Sequence, residues 1–451
     1  MPDYTPHTDE EIEAMLAFIG LGSIEELYTT VPEALRLAAG LNLADGLGEP
    51  DVMAHIEDLA ARNSDVGRNL VCFAGGGAYD HEVPAVVRAL AFRSEFVTSY
   101  TPYQPEVAQG VLQALFEFQT LIARLSGLQV ANASLYDGAA SLVEAVNLSV
   151  AASGSETVWV SKGVNPSWRS VLKTFAAGTG HHIQEVPLSG GATQWDDSPE
   201  AVGDDRPGVL VVGYPNYLGC LEDIEKARSI ADRFKALLVV CFDPVCAGIL
   251  RSPGDWGADI VVGEGQALGT ALSFGGPYLG LFASTIDHVR RMPGRIVGET
   301  VDADGRRAFV TTLRAREQDI RREKATSNVC TNQTLMAVTA AVQLGWLGSS
   351  GLSEIALRSA RAASYCRRSL LAVNGIEPLC DAPIVREFAV RLPVDAETVV
   401  ERMVEAGFLA GIPVDGDLGD GRDGGLLIAL TEKRTRSEID RFVSAMDKAI
   451  R

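Results

Sequence analysis

Short apolar runs alternate with helical patterns through the middle of the chain, and this alternation constrains the fold more than any other feature. The run LLVVCF at 237–242 carries no charged side chain, which is typical of a strand covered on both faces. Strands are predicted at 129–133, 158–161, 183–186, 209–212, 237–242, 259–262 and 278–282. Helices are predicted at 106–125, 138–152, 167–176 and 223–234. Strands connected through helices form a mostly parallel sheet, so the sequence predicts an α/β fold.

The chain divides by pattern into three regions. Residues 1–69 carry capping-box patterns at Thr8 and Ser23 and a third helical pattern at 51–62, which together predict a helical arm. Residues 70–330 hold the alternating pattern and are expected to form a large domain. Residues 331–451 are expected to form a smaller α/β domain. Its helices and strands are predicted at 333–347, 352–373, 387–392, 396–406, 426–430 and 437–450.

The composition excludes several classes of function. The 451 residues include 39 basic and 59 acidic side chains, for a formal net charge of −20, and such a surface repels the phosphate backbone of nucleic acids. An acidic surface favours solubility, and a halophilic host is the weaker alternative explanation. The sequence has no run of about 18 uncharged apolar residues, and its acidic N-terminus lacks the pattern of an export signal. We therefore expect a cytoplasmic protein that neither binds nucleic acid nor spans a membrane.

Patterns for disulfides and metals are missing as well. The seven cysteines are scattered, and no pair has the C-x-x-C spacing, which favours reduced thiols over a disulfide framework or a zinc site. The pair His181 and His182 has no partner at a metal-ligand spacing. The acidic turn with Asp415, Asp417 and Asp420 departs from the order of a calcium loop. We expect no metal site.

Asp243 follows the strand at 237–242 and is a candidate site residue. A large parallel-sheet domain followed by a small domain suits pyridoxal-phosphate enzymes of the aminotransferase fold, among many others. In such an enzyme an aspartate at this strand end would keep the pyridine nitrogen protonated. The alternative is that Asp243 caps the turn with Pro244, and the residues leave both interpretations open.

A pyridoxal-phosphate enzyme also needs a lysine that forms an imine with the cofactor. It should lie about one strand–helix unit after the aspartate, and the next predicted strand ends at Gly265 and Gln266. A glutamine amide cannot form an imine. None of the chain's seven lysines is near that position in sequence. Lys324 lies in a charged run far along the chain and is a poor substitute.

The segment IRREKATSNVCTNQ at 320–333 joins the two predicted domains. Mixed charges followed by Thr326, Ser327 and Asn328 make a polar loop ahead of an apolar helix. One interpretation is a domain junction with an N-capped helix. The other is a loop that faces a crevice or a subunit interface, and the residues leave both open.

The chain contains four long motifs: YTPYQPEVAQG at 100–110, FEFQTLIARLSGLQVANASLYDGAAS at 116–141, SFGGPYLGLFA at 273–283 and IRREKATSNVCTNQ at 320–333. These motifs resemble the glycine cleavage system P-protein family, and the likeness extends over nearly the whole chain. More narrowly, the chain resembles the first subunit of the two-subunit form.

The resemblance implies an architecture, a reaction and a division of labour. The architecture is that of the pyridoxal-phosphate-dependent transferases (aminotransferase fold type I). The reaction decarboxylates glycine, passes the aminomethyl group to the lipoyl arm of H-protein and releases CO2. The second subunit is expected to carry the lysine and the cofactor. This chain then has no catalytic residue of its own, with Gln266 at the lysine position and Asp243 as a vestige or a structural cap.

The resemblance further implies a complex with P-protein subunit 2, expected as an α2β2 heterotetramer. Within it this chain would wall the partner's active site, exclude water and shape a channel for the lipoyl arm. Six side chains are candidates for contact with the partner or its site: Tyr100, Tyr103, Gln104, Glu106, Arg322 and Lys324. The alternative is that all six only stabilise this chain's own fold.

Two other functions remain open at this point. The chain could be a catalytically silent scaffold or regulatory protein with the aminotransferase fold. It could also be an independent pyridoxal-phosphate enzyme that uses Lys324.

Overall fold

The computed structural model describes residues 6–37, 41–195, 206–414, 418 and 425–451. The chain forms two compact units, Met1–Ser64 and Asp65–Arg451. The rejected calcium loop, with Asp415, Asp417 and Asp420, lies outside the described residues. The domain boundaries that we predict after residues 69 and 330 remain predictions.

The first unit contains the helices α1 (Asp9–Ile19) and α2 (Glu49–Ala60). The capping box at Thr8 is confirmed, because its side chain accepts from Glu11 N–H and the Glu11 side chain accepts from Thr8 N–H. The capping box predicted at Ser23 is wrong. Ser23 makes no side-chain cap, only a short 3₁₀ helix (Ile24–Tyr28) follows it, and the carboxylate of Glu26 accepts from Gly22 N–H instead.

The second unit contains the remaining helices and strands. Its helices are α3 (Ala85–Ala91), α4 (Ser94–Val97), α5 (Gln109–Ser126), α6 (Gly138–Ser153), α7 (Pro166–Thr179), α8 (Ile224–Phe234), α9 (Gln318–Arg321), α10 (Thr334–Leu371), α11 (Ala396–Glu405) and α12 (Arg436–Ala449). Its strands are β1 (Val71–Cys72), β2 (Val130–Ala131), β3 (Thr157–Ser161), β4 (His182–Val186), β5 (Leu188–Ser189), β6 (Ala192–Thr193), β7 (Val209–Tyr214), β8 (Leu237–Phe242), β9 (Ile260–Glu264), β10 (Gly280–Ser284), β11 (Val297–Val301), β12 (Arg307–Thr311), β13 (Glu377–Pro378), β14 (Glu387–Arg391), β15 (Phe408–Leu409), β16 (Ile412–Val414) and β17 (Gly425–Ala429).

A seven-stranded sheet with the order β2-β10-β9-β8-β7-β3-β4 forms the centre of this unit. The strands from β9 through β4 run parallel, and β10 is antiparallel to both of its neighbours. The mostly parallel α/β sheet is therefore confirmed. Apolar side chains alternate between its faces, as strand geometry requires. Leu238 and Val240 face a core shared with α5, whereas Val239 faces a core shared with α6.

A second, four-stranded sheet with the order β13-β14-β17-β16 is entirely antiparallel. Its core contains Phe388 and Phe442 and also takes in Phe73, whose ring stacks on Phe442 with 3.9 Å between centroids. The neighbouring β1 pairs with β15. The segment just before the first strand–helix alternation is thereby anchored to the C-terminal part of the chain.

Helix α10 connects the two cores. Ala337 and Leu344 pack in the core of the large sheet, and Cys366 and Leu370 pack in that of the small sheet. Gly348, with φ of 60°, interrupts the helix where two separate helices are predicted. By length and composition α10 could cross a membrane, because an 18-residue window of it has a mean hydropathy of 1.3. Within this protein, 44% of that window is buried. A core helix meets the same criterion.

Candidate functional site

A crevice opens at the carboxyl ends of β3, β7, β8 and β9, where open α/β sheets bind their ligands. It encloses about 530 Å³, part of which is open to solvent. Its walls come from the ends of these strands, from the glycine-rich segment at 75–77 and from the start of β14. The charged and aromatic residues of the wall are Tyr79, Trp168, Tyr217, Phe242, Asp243, Glu264, Arg386 and Glu387.

Asp243 is paired with a buried arginine at the floor of the crevice. Arg386 Nη2 lies 2.5 Å from Asp243 Oδ2, and the Arg386 side chain is only 3% exposed. The other Asp243 oxygen accepts from Val245 N–H at 3.0 Å, so the carboxylate also caps the turn after β8. The guanidinium lies 3.5 Å from the centroid of the Tyr79 ring, a cation–π contact. Both Asp243 oxygens are thus engaged by this chain's own groups.

The charge of Arg386 is shared with a wider network. Its Nη1 contacts His81 Nε2, and His81 Nδ1 lies 2.6 Å from Glu432 Oε2. Burial alone would lower the pKa of Arg386, but the nearby Asp243 and other acidic groups raise it above its usual value. The arginine therefore stays a cation inside the protein.

Glu387 follows Arg386 in sequence. Arg386 contacts the ring of Tyr79, whereas Glu387 contacts its hydroxyl. Its carboxylate accepts from Gly76 N–H at 2.6 Å and from the Tyr79 hydroxyl at 2.8 Å. Burial raises the pKa of Glu387 to about 7, although the hydrogen bonds from Gly76 and Tyr79 act in the opposite direction. Burial and the neighbouring Glu387 raise the pKa of Tyr79 well above its usual value, so Tyr79 remains a neutral donor.

Gln266 is 1% exposed and holds main-chain groups together. Its Oε1 accepts from Tyr79 N–H at 2.9 Å, and its Nε2 donates to Tyr79 O at 3.1 Å and to Thr270 O at 2.7 Å. The amide supplies a donor and an acceptor in one plane, which a lysine ammonium cannot do. Gln266, at the position where a lysine is expected, therefore has a structural role in this chain.

Glu264 occupies the N-terminus of α6. Its carboxylate accepts from Gly138 N–H at 3.0 Å, from Gln266 N–H at 3.0 Å and from Leu279 N–H at 2.9 Å. Burial raises the pKa of Glu264 to about 7, although the three hydrogen bonds lower it. The Trp168 indole also lies against this helix end, since a Cβ at Gly138 would be 2.1 Å from its ring.

Pyridoxal phosphate does not fit these residues. Its site needs an amine for the imine, a carboxylate free to pair with the ring nitrogen, and free N–H donors for the phosphate. Gln266 offers no amine, Asp243 is paired with Arg386, and the Gly138 N–H is already bonded to Glu264. A phosphate would also meet Glu264 and Glu387 in the same crevice.

The loop residues predicted to contact a partner lie away from this crevice. Tyr100 is 96% exposed, and Gln104 and Glu106 are also exposed. Tyr103 is half-buried, with its hydroxyl donating to Asn332 and the Arg295 guanidinium 4.7 Å from its ring centroid. Three of the four loop side chains are therefore free to make contacts outside this chain.

Arg322 and Lys324 lie in an exposed 3₁₀ helix, Arg322–Lys324. Lys324 lines a second, larger cleft, which the polar segment at 324–329 forms with α6 and α7. Burial raises the pKa of Glu144 in that cleft to about 7. Neither this pair nor the four loop residues line the crevice of Asp243 among the described residues.

Sequence reasoning missed the residues that surround Asp243. Arg386 precedes a mostly apolar strand, Glu387 begins it and Glu264 ends another, so charges at the ends of apolar runs are the available signal. Tyr79 follows three glycines, Gly75 to Gly77, which let the main chain approach Glu387. Which of these charges pair with each other depends on contacts between distant segments, and no local pattern reveals them.

The chain is similar in sequence to the first subunits of glycine decarboxylases. The family model of the glycine cleavage system P-protein matches residues 2–446. The probable glycine dehydrogenase (decarboxylating) subunit 1 of Carboxydothermus hydrogenoformans is 46% identical over 98% of this chain and 99% of its own length. The protein of the same name from Chloroherpeton thalassium is 43% identical over 98% and 99% of the two lengths.

Solved structures agree with this relationship. A glycine decarboxylase (P-protein) of the glycine cleavage system, in an inhibitor-bound form, superimposes with a TM-score of 0.92 at 44% identity, covering 99% of this chain and 100% of that one. The alanine–glyoxylate aminotransferase of Nostoc sp. superimposes with a TM-score of 0.60 at 16% identity, covering 86% and 97% of the two chains, which confirms the aminotransferase fold alone. The chain therefore belongs to the glycine cleavage system P-protein family.

Proposed function

We propose that this chain is the lysine-lacking subunit of a glycine decarboxylase, the P-protein of the glycine cleavage system. Its family and fold imply that the assembled enzyme depends on pyridoxal phosphate, and the words "subunit 1" in the relatives' names imply a second subunit. In our proposal that second subunit binds the cofactor. The observation that carries this assignment is Gln266, a buried amide with three hydrogen bonds where the imine lysine is expected.

The proposed reaction decarboxylates glycine, releases CO2 and transfers the aminomethyl group to the lipoyl arm of H-protein. The cofactor supplies an electron sink for the carbanion that decarboxylation leaves. This chain contributes no reacting group. It walls the partner's active site, excludes water from it and shapes the path of the lipoyl arm. We propose an α2β2 assembly in the cytoplasm.

The loop with Tyr100, Gln104 and Glu106 is our candidate for the surface that reaches the partner's site. An almost fully exposed tyrosine costs little conformational entropy to immobilise and offers both apolar area and a polar tip. Tyr103, held by Asn332 and Arg295, anchors the loop to this chain. Arg322 and Lys324 supply positive charge on an acidic protein and are candidates for ion pairs with the partner or with H-protein.

An independent pyridoxal-phosphate enzyme that uses Lys324 is disfavoured by position. Lys324 lines the cleft beside α6 and α7, whereas Asp243 lies in the crevice at the strand ends. An imine at Lys324 would therefore lie in a different cleft from Asp243, the strand-end aspartate that would keep the ring nitrogen protonated.

Exchange of labelled bicarbonate into the carboxyl group of glycine tests the proposal, with H-protein present throughout. We expect exchange when this chain and its lysine-bearing partner are mixed, and none with this chain alone. Exchange by this chain alone would refute the proposal. A mixture no faster than the partner alone would favour the silent scaffold.

A further inference from the structure

The crevice of this chain holds a cation and an acid at the two ends where a bound pyridoxal phosphate would carry its own charges. Arg386 lies at the end with Asp243, and Glu264 lies at the end with the N-terminus of α6. The two residues come from different sheets, since Glu264 ends β9 and Arg386 precedes β14. Their meeting in one crevice is therefore a product of the tertiary fold.

At the first end, Arg386 matches what a protonated pyridine nitrogen would do. A pyridinium donates one N–H to the aspartate beneath it, and Arg386 Nη2 makes the same charge-assisted contact at 2.5 Å. The flat guanidinium stacks on Tyr79 and contacts His81 as well. Because these contacts surround it, Arg386 cannot swing away to admit a ring without leaving Asp243 buried and unpaired.

At the second end, Glu264 matches what a phosphate would do. Helix N-termini bind phosphates through free N–H groups and the helix dipole. Here the first N–H of α6, that of Gly138, donates to Glu264, and the Ala140 N–H donates to Asp137. Glu264, at the end of a strand, and Asp137, the N-cap, therefore each satisfy one donor that would otherwise attract an anion.

We infer that Arg386 and Glu264 are internal substitutes for the ring nitrogen and the phosphate of pyridoxal phosphate, and that with Gln266 they determine that this chain takes no cofactor. This inference rests on the proposed function, because it explains why this subunit of the proposed decarboxylase binds no cofactor. The missing lysine alone is not the cause. A chain that regained the amine would still have both charged ends of the crevice occupied.

Restoring the amine with and without the two substitutes tests the inference on the full chain, purified alone and titrated with pyridoxal phosphate. The readouts are the visible absorption band of the imine and borohydride reduction, which fixes the cofactor to residue 266 for mass spectrometry. We expect Gln266→Lys to form no imine. We expect Gln266→Lys/Arg386→Leu to form it, and added Glu264→Ala to tighten binding at least about tenfold, equal to about 1.4 kcal/mol.

A matched control is Gln266→Lys/Arg316→Leu. It removes a mostly buried arginine that bonds the carbonyls of Met292 and Gly294 outside the crevice, and it should form no imine. Two results would overturn the inference. One is an imine in Gln266→Lys alone that is as strong as in the triple variant. The other is a triple variant that has the circular dichroism spectrum of the wild type yet binds no cofactor.

Arg386→Leu leaves the Asp243 carboxylate buried without its counter-charge, so a second variant is needed to distinguish misfolding from a failure to bind the cofactor. Asp243→Asn/Arg386→Leu with Gln266→Lys removes both charges of the pair, and we expect it to fold and to form the imine. Failure of a folded sample to do so also counts against the inference. The proposed function stands or falls separately, on whether the unaltered chain supports glycine exchange only with its partner.

Discussion

The side chain of Gln266 binds both main-chain polar groups of Tyr79, accepting from its N–H at 2.9 Å and donating to its carbonyl at 3.1 Å. The side chain thereby pairs with Tyr79 much as a neighbouring strand would. It fixes the glycine-rich segment over the carboxyl end of β9. From there Tyr79 contacts Arg386 and Glu387, so this pairing positions two of the charged residues of the crevice.

Truncation of this amide should destabilise the fold strongly. Gln266→Ala leaves Tyr79 N–H, Tyr79 O and Thr270 O without their buried partner and opens a small cavity, so we expect a loss of about 3 kcal/mol in the free energy of unfolding. Urea denaturation followed by circular dichroism measures it. The control is Gln113→Ala, which removes an exposed glutamine whose amide donates to Glu117, and it should change stability by less than about 0.5 kcal/mol. Equal effects would contradict this view of Gln266.

Glu144 should make stability fall with rising pH. Burial raises its pKa to about 7, so the folded chain keeps a proton that the unfolded chain releases near pH 4.5. Between these two values the folded state binds more protons, and the free energy of unfolding decreases as the pH rises, by at most about 3 kcal/mol. Glu144→Gln should remove this fall and be the more stable protein above pH 7.

The difference between the wild-type and Glu144→Gln denaturation profiles isolates this group from Glu264 and Glu387, whose pKa values burial also raises. Ser327→Ala provides a second test. The Ser327 hydroxyl lowers the pKa of Glu144 in the folded chain, so its removal should extend the fall to higher pH and make it larger. Parallel profiles in all three proteins would contradict the assignment.

Asp80 should be essential for joining the crevice loop to the C-terminal segment. Its carboxylate lies 2.7 Å from Lys433 Nζ and 3.1 Å from Arg434 Nη2, and Arg434 is only 7% exposed. Asp80→Asn leaves the arginine buried without its counter-charge, so we expect a loss of about 3 kcal/mol in a denaturant titration. Asp304→Asn, which breaks the exposed pair with Arg306, should cost less than about 1 kcal/mol.

Gly219 should tolerate no side chain. It has φ of +80°, and a Cβ there would lie 1.9 Å from the carbonyl oxygen of Glu387. Gly180 has a similar φ of +82° but nothing within 4 Å, so Gly180→Ala measures the cost of the backbone conformation alone, about 1 kcal/mol. We expect Gly219→Ala to cost about 3 kcal/mol more, because β14 must shift. Similar melting temperatures for the two variants would rule out this close contact.

Tyr100 should affect turnover without affecting stability. Its side chain is 96% exposed, so Tyr100→Ala should leave the melting temperature of the isolated chain unchanged. In the mixture with the partner we expect the exchange rate to drop at least about tenfold, the result of losing about 1.4 kcal/mol of interaction. Tyr100→Phe, which keeps the ring, should retain most of the rate. Unchanged exchange in Tyr100→Ala would remove this loop from the proposed contact surface.

Local patterns were sufficient to predict the framework of the large sheet. The strand predicted at 237–242 has those bounds, and Asp243, which follows it, lines the crevice. The same reasoning selects Gln266 at the predicted end of the next strand, and in the structure β9 ends two residues earlier, at Glu264. The strands are predictable because parallel strands with long apolar runs leave a strong signal. The roles assigned to Asp243 and Gln266 remain predictions.

Long-range pairing explains what was missed. The hairpin of β11 and β12 consists of half-exposed strands with mixed polar residues. Strand β15 has two residues and pairs with β1, which lies far from it in sequence. Arg386 and His81 are 305 positions apart in sequence yet in contact. No periodicity links such partners, because the pairing is fixed only once both cores have formed around α10.

The closed set of charges around Arg386 also affects how the protein is made. An enzyme whose pocket stays electrostatically incomplete until a vitamin derivative arrives can mature only as fast as that vitamin is supplied. This polypeptide carries its own counter-ions, so we expect it to reach its final form straight from the ribosome. If the second subunit binds the cofactor, as we propose, cells starved of vitamin B6 should accumulate folded copies of this chain without a cofactor-loaded partner.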